Sequence, residues 1–228
     1  MNPPPHPQAP KPSNRIFQIG IGIDFDNLRA HCEFVLSSLD EEEKRFERAT
    51  AKATEGMDEE QRSAYYEWHE QDAWHVYDVF PSLQWMSSFL LAYGIFEKTL
   101  NEICLIAKPP APSGVSLHDI AGQGIERAKI YLRKVCGISA PFDTPEWQRV
   151  VDLSKIRNVL AHKSGDLDLD KKMHSEALKI ARKDGAMKVT RYDEFLQVAS
   201  IEVTGEFVVG AIETFRSFLI AVCNSHAG

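Results

Sequence analysis

The first strong pattern of apolar and polar positions begins at Asp24. Phe25, Leu28, Cys32, Val35, Leu36 and Leu39 recur at three- and four-residue steps, the spacing that lines one face of an α-helix, and Asp24 is placed to cap its start. Beyond Asp40 the run EEEKRFERATAKATE holds few apolar positions, so a solvated continuation is expected. A second helix is predicted from about Asp58 to Phe80, rich in aromatics (Tyr65, Tyr66, Trp68, Trp74, Tyr77), with Pro81 either ending it or starting the next. Residues 82 to 107 carry the strongest helical stripe: Trp85, Phe89, Leu90, Tyr93, Phe96, Leu100, Ile103 and Cys104. Its rings could stack nucleic-acid bases, but helical spacing inside a bundle points to packing.

KPPAPSG, residues 108 to 114, reads as a loop, and SLHDIAGQG then leads into a basic helix from Ile125 to Cys136 that Gly137 stops. Thr144 caps a further helix, with Pro145 at its first position and Glu146 next, running to about His162 and finished by Lys163, Ser164 and Gly165. A shorter polar helix follows over 168 to 183. MKVT and FLQVAS, separated by turn formers, suggest a small hairpin, and Glu202 to Cys223 is a last amphipathic helix. The expected fold is therefore all-α: a bundle of six or seven helices with at most a small two-stranded hairpin in the C-terminal part. Residues 1 to 14 contain six prolines and no apolar period, so they read as a disordered arm, either a plain tail or a partner-docking segment. Residues 15 to 228 read as a single helical domain.

Composition narrows the class. Of 228 residues, 43% are hydrophobic and 26% charged, as in an ordinary globular protein and unlike a disordered or fibrous one. No run approaches the roughly 18 apolar residues of a membrane span. MNPPPHPQAPKPSN has no apolar core of the signal-peptide kind, so no membrane association and a cytoplasmic location are expected. Cys32, Cys104, Cys136 and Cys223 are far apart with no ligand spacing, which predicts free core thiols and no metal. The net charge of -7 is unevenly spread: residues 24 to 80 hold sixteen acids against six Lys or Arg, whereas residues 124 to 163 hold eight Lys or Arg against four acids. A polyanion would be steered to the second region.

That basic region contains the helix with the richest chemistry. Trp147, Val150 and Val151 fall on one arc of a helical wheel, and Leu153, Ile156, Val159 and Leu160 fall roughly opposite. A helix apolar on two sides sits between neighbours, so its polar residues are not idle surface groups. Asn158 and His162, four apart, project from one face. Arg157, five before His162, lies about 140° round an ideal helix. A long guanidinium can wrap toward the imidazole at the helix end, or meet the imidazole of a second copy across a two-fold axis, which is the more natural arrangement.

IRNVLAHKSG, residues 156 to 165, resembles the RNxxxH motif of HEPN domains, and LAYGIFEKTLNEIC, residues 91 to 104, looks like the aromatic-plus-Glu helix that often precedes it. By helix order the resemblance takes in residues 82 to 220. It implies an all-helical domain that homodimerises, and a metal-independent, cofactor-free endoribonuclease of the toxin or phage-defence kind, with RNA as substrate and an antitoxin protein as a possible partner. It also implies roles: His162 as general base or acid at the ribose 2′-hydroxyl and leaving oxygen, Arg157 on the scissile phosphate, Asn158 orienting the histidine. Imidazole titrates near neutrality and guanidinium offers forked donors to phosphate, so the residue types suit the chemistry. Glu97 is an accessory candidate, either paired with Arg157 or an ordinary exposed helix residue. Arg127, Lys129, Arg133, Lys155 and Lys163 are the candidate RNA-binding cations.

Other readings compete. A His near a helix C-terminus can simply favour the dipole or cap carbonyls, and some HEPN-like domains are non-catalytic interaction or RNA-binding modules. LHDIAGQGIERAKIYL, residues 117 to 132, also resembles a single helix-hairpin-helix element whose turn amides grip phosphate, against the simpler reading of a glycine turn. GIGID, residues 20 to 24, lacks the third glycine of a dinucleotide site, and Asp72 with His75 is too little for a di-iron site.

Overall fold

The computed structural model describes residues 14–107 and 114–225, so the proline-rich arm over 1–13 and most of the predicted KPPAPSG loop lie outside the described residues. Helix α1 (Asn14–Ala53) begins ten residues before Asp24, which is an exposed interior position and not a cap. The cause is Ile21, which extends the buried stripe one turn upstream: Ile21, Phe25, Leu28, Cys32 and Val35 keep a strict four-three alternation, and Leu36 falls off it to 62% exposure. Helix α2 (Glu59–Trp68) starts at a reciprocal cap. The Gln61 amide donates to the Asp58 carboxylate at 2.8 Å, and the Asp58 amide donates to the Gln61 side chain at 3.2 Å.

The single helix predicted over 58 to 80 is in fact interrupted at His69, where φ is −105° and ψ is 12°. Helix α3 (Glu70–Trp74), a π turn over His75–Val79 and helix α4 (Phe80–Ile106) then form one continuous rod, Glu70–Ile106. Pro81 stands in the first turn of α4, the start that proline tolerates, but no break separates it from the turn before. Proline has no N–H and its ring collides with the carbonyl four residues back. The wider π turn, closed by the Phe80 amide on the His75 carbonyl, takes up that misfit.

By length and composition this rod is enough to cross a bilayer. Its apolarity nevertheless has a place in the bundle, because α4 is the central helix, packed by α1, the strand β3 (Val198–Val203) and the helices α5 (Gly124–Lys134), α6 (Pro145–Lys163) and α8 (Gly205–Ser225). Phe89, Phe96, Leu100, Ile103 and Cys104 are essentially inaccessible. The Phe96 ring stacks on Phe215 of α8 at 4.5 Å, and Phe142, Trp147 and Phe218 continue the ring cluster toward α6. The four cysteines are buried and form no disulfide; burial, the largest cause, pushes the Cys104 thiol up to about 12 and the Cys223 thiol up to about 11.

Counting the α3–α4 rod once, the described residues form seven helices, in accord with the all-α expectation. Helix α7 (Lys172–Lys183) covers a small antiparallel sheet whose strands β1 (Asp166–Asp168), β2 (Met187–Asp193) and β3 (Val198–Val203) lie in the order β1-β3-β2. The predicted hairpin is present as β2 (Met187–Asp193) and β3 (Val198–Val203), but it gains a third strand, β1 (Asp166–Asp168), directly after α6. Three residues, DLD, are too short for a period, and their pairing with β3 is decided by Gly165. At φ +95° a Cβ on Gly165 would lie 2.3 Å from the Ile201 carbonyl oxygen, so only glycine lets α6 turn onto the sheet edge.

Candidate functional site

Helix α6 begins as its residues dictate. The Thr144 hydroxyl accepts from the Trp147 amide, Pro145 occupies the first turn, and Ser164 closes the helix in the left-handed conformation at φ 50°. Leu153, Ile156, Val159 and Leu160 are buried against the bundle. The remaining face carries Ser154, Asn158 and His162 at four-residue steps, half-buried at the first two positions and exposed at His162.

Arg157 and Asn158 are brought together; His162 is not. The Arg157 guanidinium donates to the Asn158 side-chain oxygen at 3.1 Å and lies 5.3 Å from the centre of the Tyr93 ring. Tyr93 in turn donates its hydroxyl to Ser154 at 3.0 Å. Burial pushes the Tyr93 phenol up, Glu97 adds to that, and the Ser154 bond and Arg157 oppose it. Tyr93 is buried in the core, as its place on the α4 stripe predicts, and is at the same time the ring beside Arg157; Ser154 was not singled out from the sequence. The 154–158–162 step was the available signal. His162 stands one turn beyond Asn158 at the negative end of the helix and, among the described residues, no hydrogen bond or ion pair engages it.

Glu97 takes neither of its two expected places. It is half-buried, makes no ion pair with Arg157, and its carboxylate closes on Gly124, where an added Cβ would meet Oε1 at 2.9 Å. Glu97 thereby sets a negative charge at the N-terminus of α5. That placement also disposes of the phosphate-gripping reading of residues 117 to 132. A 3-10 turn of three residues, Leu117–Asp119, precedes α5 instead of a helix, and the helix start that would receive phosphate faces a carboxylate.

The candidate RNA-binding cations fare unequally. Arg133 forks onto Asp143 at 2.8 and 3.3 Å, Lys155 meets Glu176 at 2.9 Å, and Lys129 sits 3.6 Å from Glu126 with its ammonium over the Trp147 ring. Arg127 carries a buried Nε with no hydrogen-bond partner. Lys163 opens onto a 330 Å³ pocket at the C-terminal end of α6, which Lys171, Arg191, Asp166 and Asp168 also line. At its base His174, 4% exposed, accepts the Asp168 amide on Nδ1 at 3.0 Å, so the neutral ring carries its proton on Nε2. Lys171 and His174 lie three apart at the start of α7, and Arg191 comes to them from β2, which no sequence spacing relates to that helix start. No group of three or more His, Cys, Asp or Glu among the described residues converges as a metal-binding set.

Against family models, curated proteins and solved structures alike, the chain has no match. The resemblance to HEPN domains thus rests on residues 156 to 165 and 91 to 104 alone.

Proposed function

We propose that this protein is a metal-independent endoribonuclease of the HEPN type that works as a homodimer, in a toxin–antitoxin or phage-defence setting. One observation carries the reading. Arg157 is held by neutral partners, the Tyr93 ring and the Asn158 amide, while Arg133, Arg149 and Lys155 are each paired with a carboxylate. A half-buried guanidinium without a counter-charge keeps its full attraction for an incoming phosphate.

In the proposed reaction Arg157 forks onto the non-bridging oxygens of one phosphodiester. An imidazole takes the proton of the adjacent ribose 2′-hydroxyl as its oxygen bonds to phosphorus. A second imidazole protonates the 5′-oxygen as the P–O bond breaks, leaving a 2′,3′-cyclic phosphate. Two His162 side chains, one from each copy, supply the two proton carriers, and the Arg157 of one copy works with the His162 of the other. This division suits a chain in which Asn158 already engages Arg157 and His162 points free into solvent.

The test is cleavage of labelled RNA by purified protein in EDTA. His162→Ala should lower the rate by about 10²–10⁴-fold, the usual worth of a proton-transferring side chain. Arg157→Ala should also abolish most activity, and Arg133→Ala should leave it nearly intact. Wild-type protein that leaves a panel of RNAs uncut would sink the ribonuclease reading. A second reading, a non-catalytic interaction or RNA-binding module, draws support from the internal pairing of Lys129, Arg133 and Lys155, which leaves less free positive surface than the sequence promises.

A further inference from the structure

The far end of α1 and the α2–α3 arm form a surface that the bundle does not use. Helices α2 and α3 and the π turn contain no buried residue. Their aromatics are nonetheless numerous, and Trp68 is 85% exposed. Between α1 and this arm runs a groove of 350 Å³ walled by Phe46, Tyr65, Tyr66, His69 and Tyr77, with Glu47 at its edge. Two pairs of its rings meet edge-on: Phe46 and Tyr77 at 5.9 Å and 86°, and Tyr65 and Tyr66 at 6.0 Å and 77°. Burial pushes the Tyr77 phenol up, and the charges of Glu47 and Glu43 push it further, so the groove is acidic as well as aromatic. Extended proline-rich peptides dock into aromatic-lined grooves, and an acidic edge favours one that carries positive charge.

The chain supplies such a peptide. Pro4, Pro7 and Pro10 are spaced by three, so in a polyproline II helix of three residues per turn they share one edge. Lys11 follows them, and residues 1 to 13 contain no acidic side chain, which complements Glu43 and Glu47. Reach decides which copy is bound. From Asn14 to Phe46 α1 climbs about 48 Å at 1.5 Å per residue. Pro3, the proline farthest from Asn14, reaches about 34 Å as polyproline II, and about 40 Å fully stretched. The arm of a chain therefore falls short of that chain's groove. We propose that the groove formed by Phe46, Tyr65, Tyr66 and Tyr77 binds the Pro4–Lys11 segment of a second copy of this protein. Reciprocal exchange of two arms closes a two-fold assembly. The interaction is independent of the ribonuclease reading, since it uses none of the α6 residues.

The experiment titrates a fluorescent peptide of residues 1 to 14 with full-length protein carrying Pro7→Ala and Pro10→Ala, which weakens competition from the protein's own arms. Anisotropy should rise to saturation. Tyr66→Ala and Tyr77→Ala should each weaken binding at least ~10-fold, as loss of a central aromatic anchor does, with helix content by circular dichroism unchanged. Tyr66→Phe should stay near the parent affinity, and a peptide with alanine at positions 4, 7 and 10 should not bind. Absence of saturation up to about 1 mM protein, or binding indifferent to both tyrosine-to-alanine changes, overturns the proposal.

Discussion

The central bundle and the α2–α3 arm are built from similar residues and hold together in opposite ways. Helix α4 and the arm are both rich in aromatics, but Phe96 of α4 has no accessible surface and Trp68 of α2 is almost wholly exposed. The arm is kept helical by its Asp58–Gln61 cap and by its continuity with α4, whereas the bundle is kept by interlocked rings. A segment that spends aromatics on solvent is shaped for a partner, and a segment that buries them is shaped for stability. The candidate site lies between these extremes. Its helix is anchored by Leu153, Ile156 and Val159, while the face with Asn158 and His162 stays reachable.

The sharpest way to test this contrast is truncation of a ring in each region. Phe96→Ala removes a stacked ring from a site that cannot collapse easily, and should cost about 3–5 kcal/mol in denaturant unfolding. Gly165→Ala comes next. It forces a side chain into a left-handed position already crowded by the Ile201 carbonyl, for about 1–3 kcal/mol or more. A loss no greater than that of an ordinary surface change would show that β1 is not held by this turn.

Alkaline pH offers a gentler probe of the bundle alone. The Cys104 thiol is raised from 9.0 to about 12 in the folded protein, so the unfolded chain loses its proton first. Its contribution to stability is complete below pH 9, and fades as pH rises from 9 through 12. Unfolding free energy followed across that window should fall less steeply in Cys104→Val than in the parent chain. Smallest of all is Trp68→Ala, expected within about 0.5 kcal/mol of the parent; a larger loss would mean that the arm packs against something after all.

Much of this architecture is legible in the chain itself, because helical periodicity is a local signal. The stripe of α4, the Thr144–Pro145–Glu146 start of α6 and the hairpin residues each declare themselves within a few turns. So does the spacing that sets Asn158 and His162 on one face. Other features depend on distant partners. Helix α1 starts early because Ile21 finds the core, and Pro81 stays within a rod because a π turn forms ahead of it. The three residues of β1 become a strand only when Gly165 lets them reach β3. The site follows the same rule. Sequence places Arg157, Asn158 and His162 on one helix, and with it the types of chemistry available. Packing alone decides that Arg157 leans on Tyr93 and Asn158, that Glu97 turns to Gly124, and that Lys155 and Arg133 face carboxylates. Side-chain contact across helices depends on crossing geometry, and no local spacing encodes that geometry.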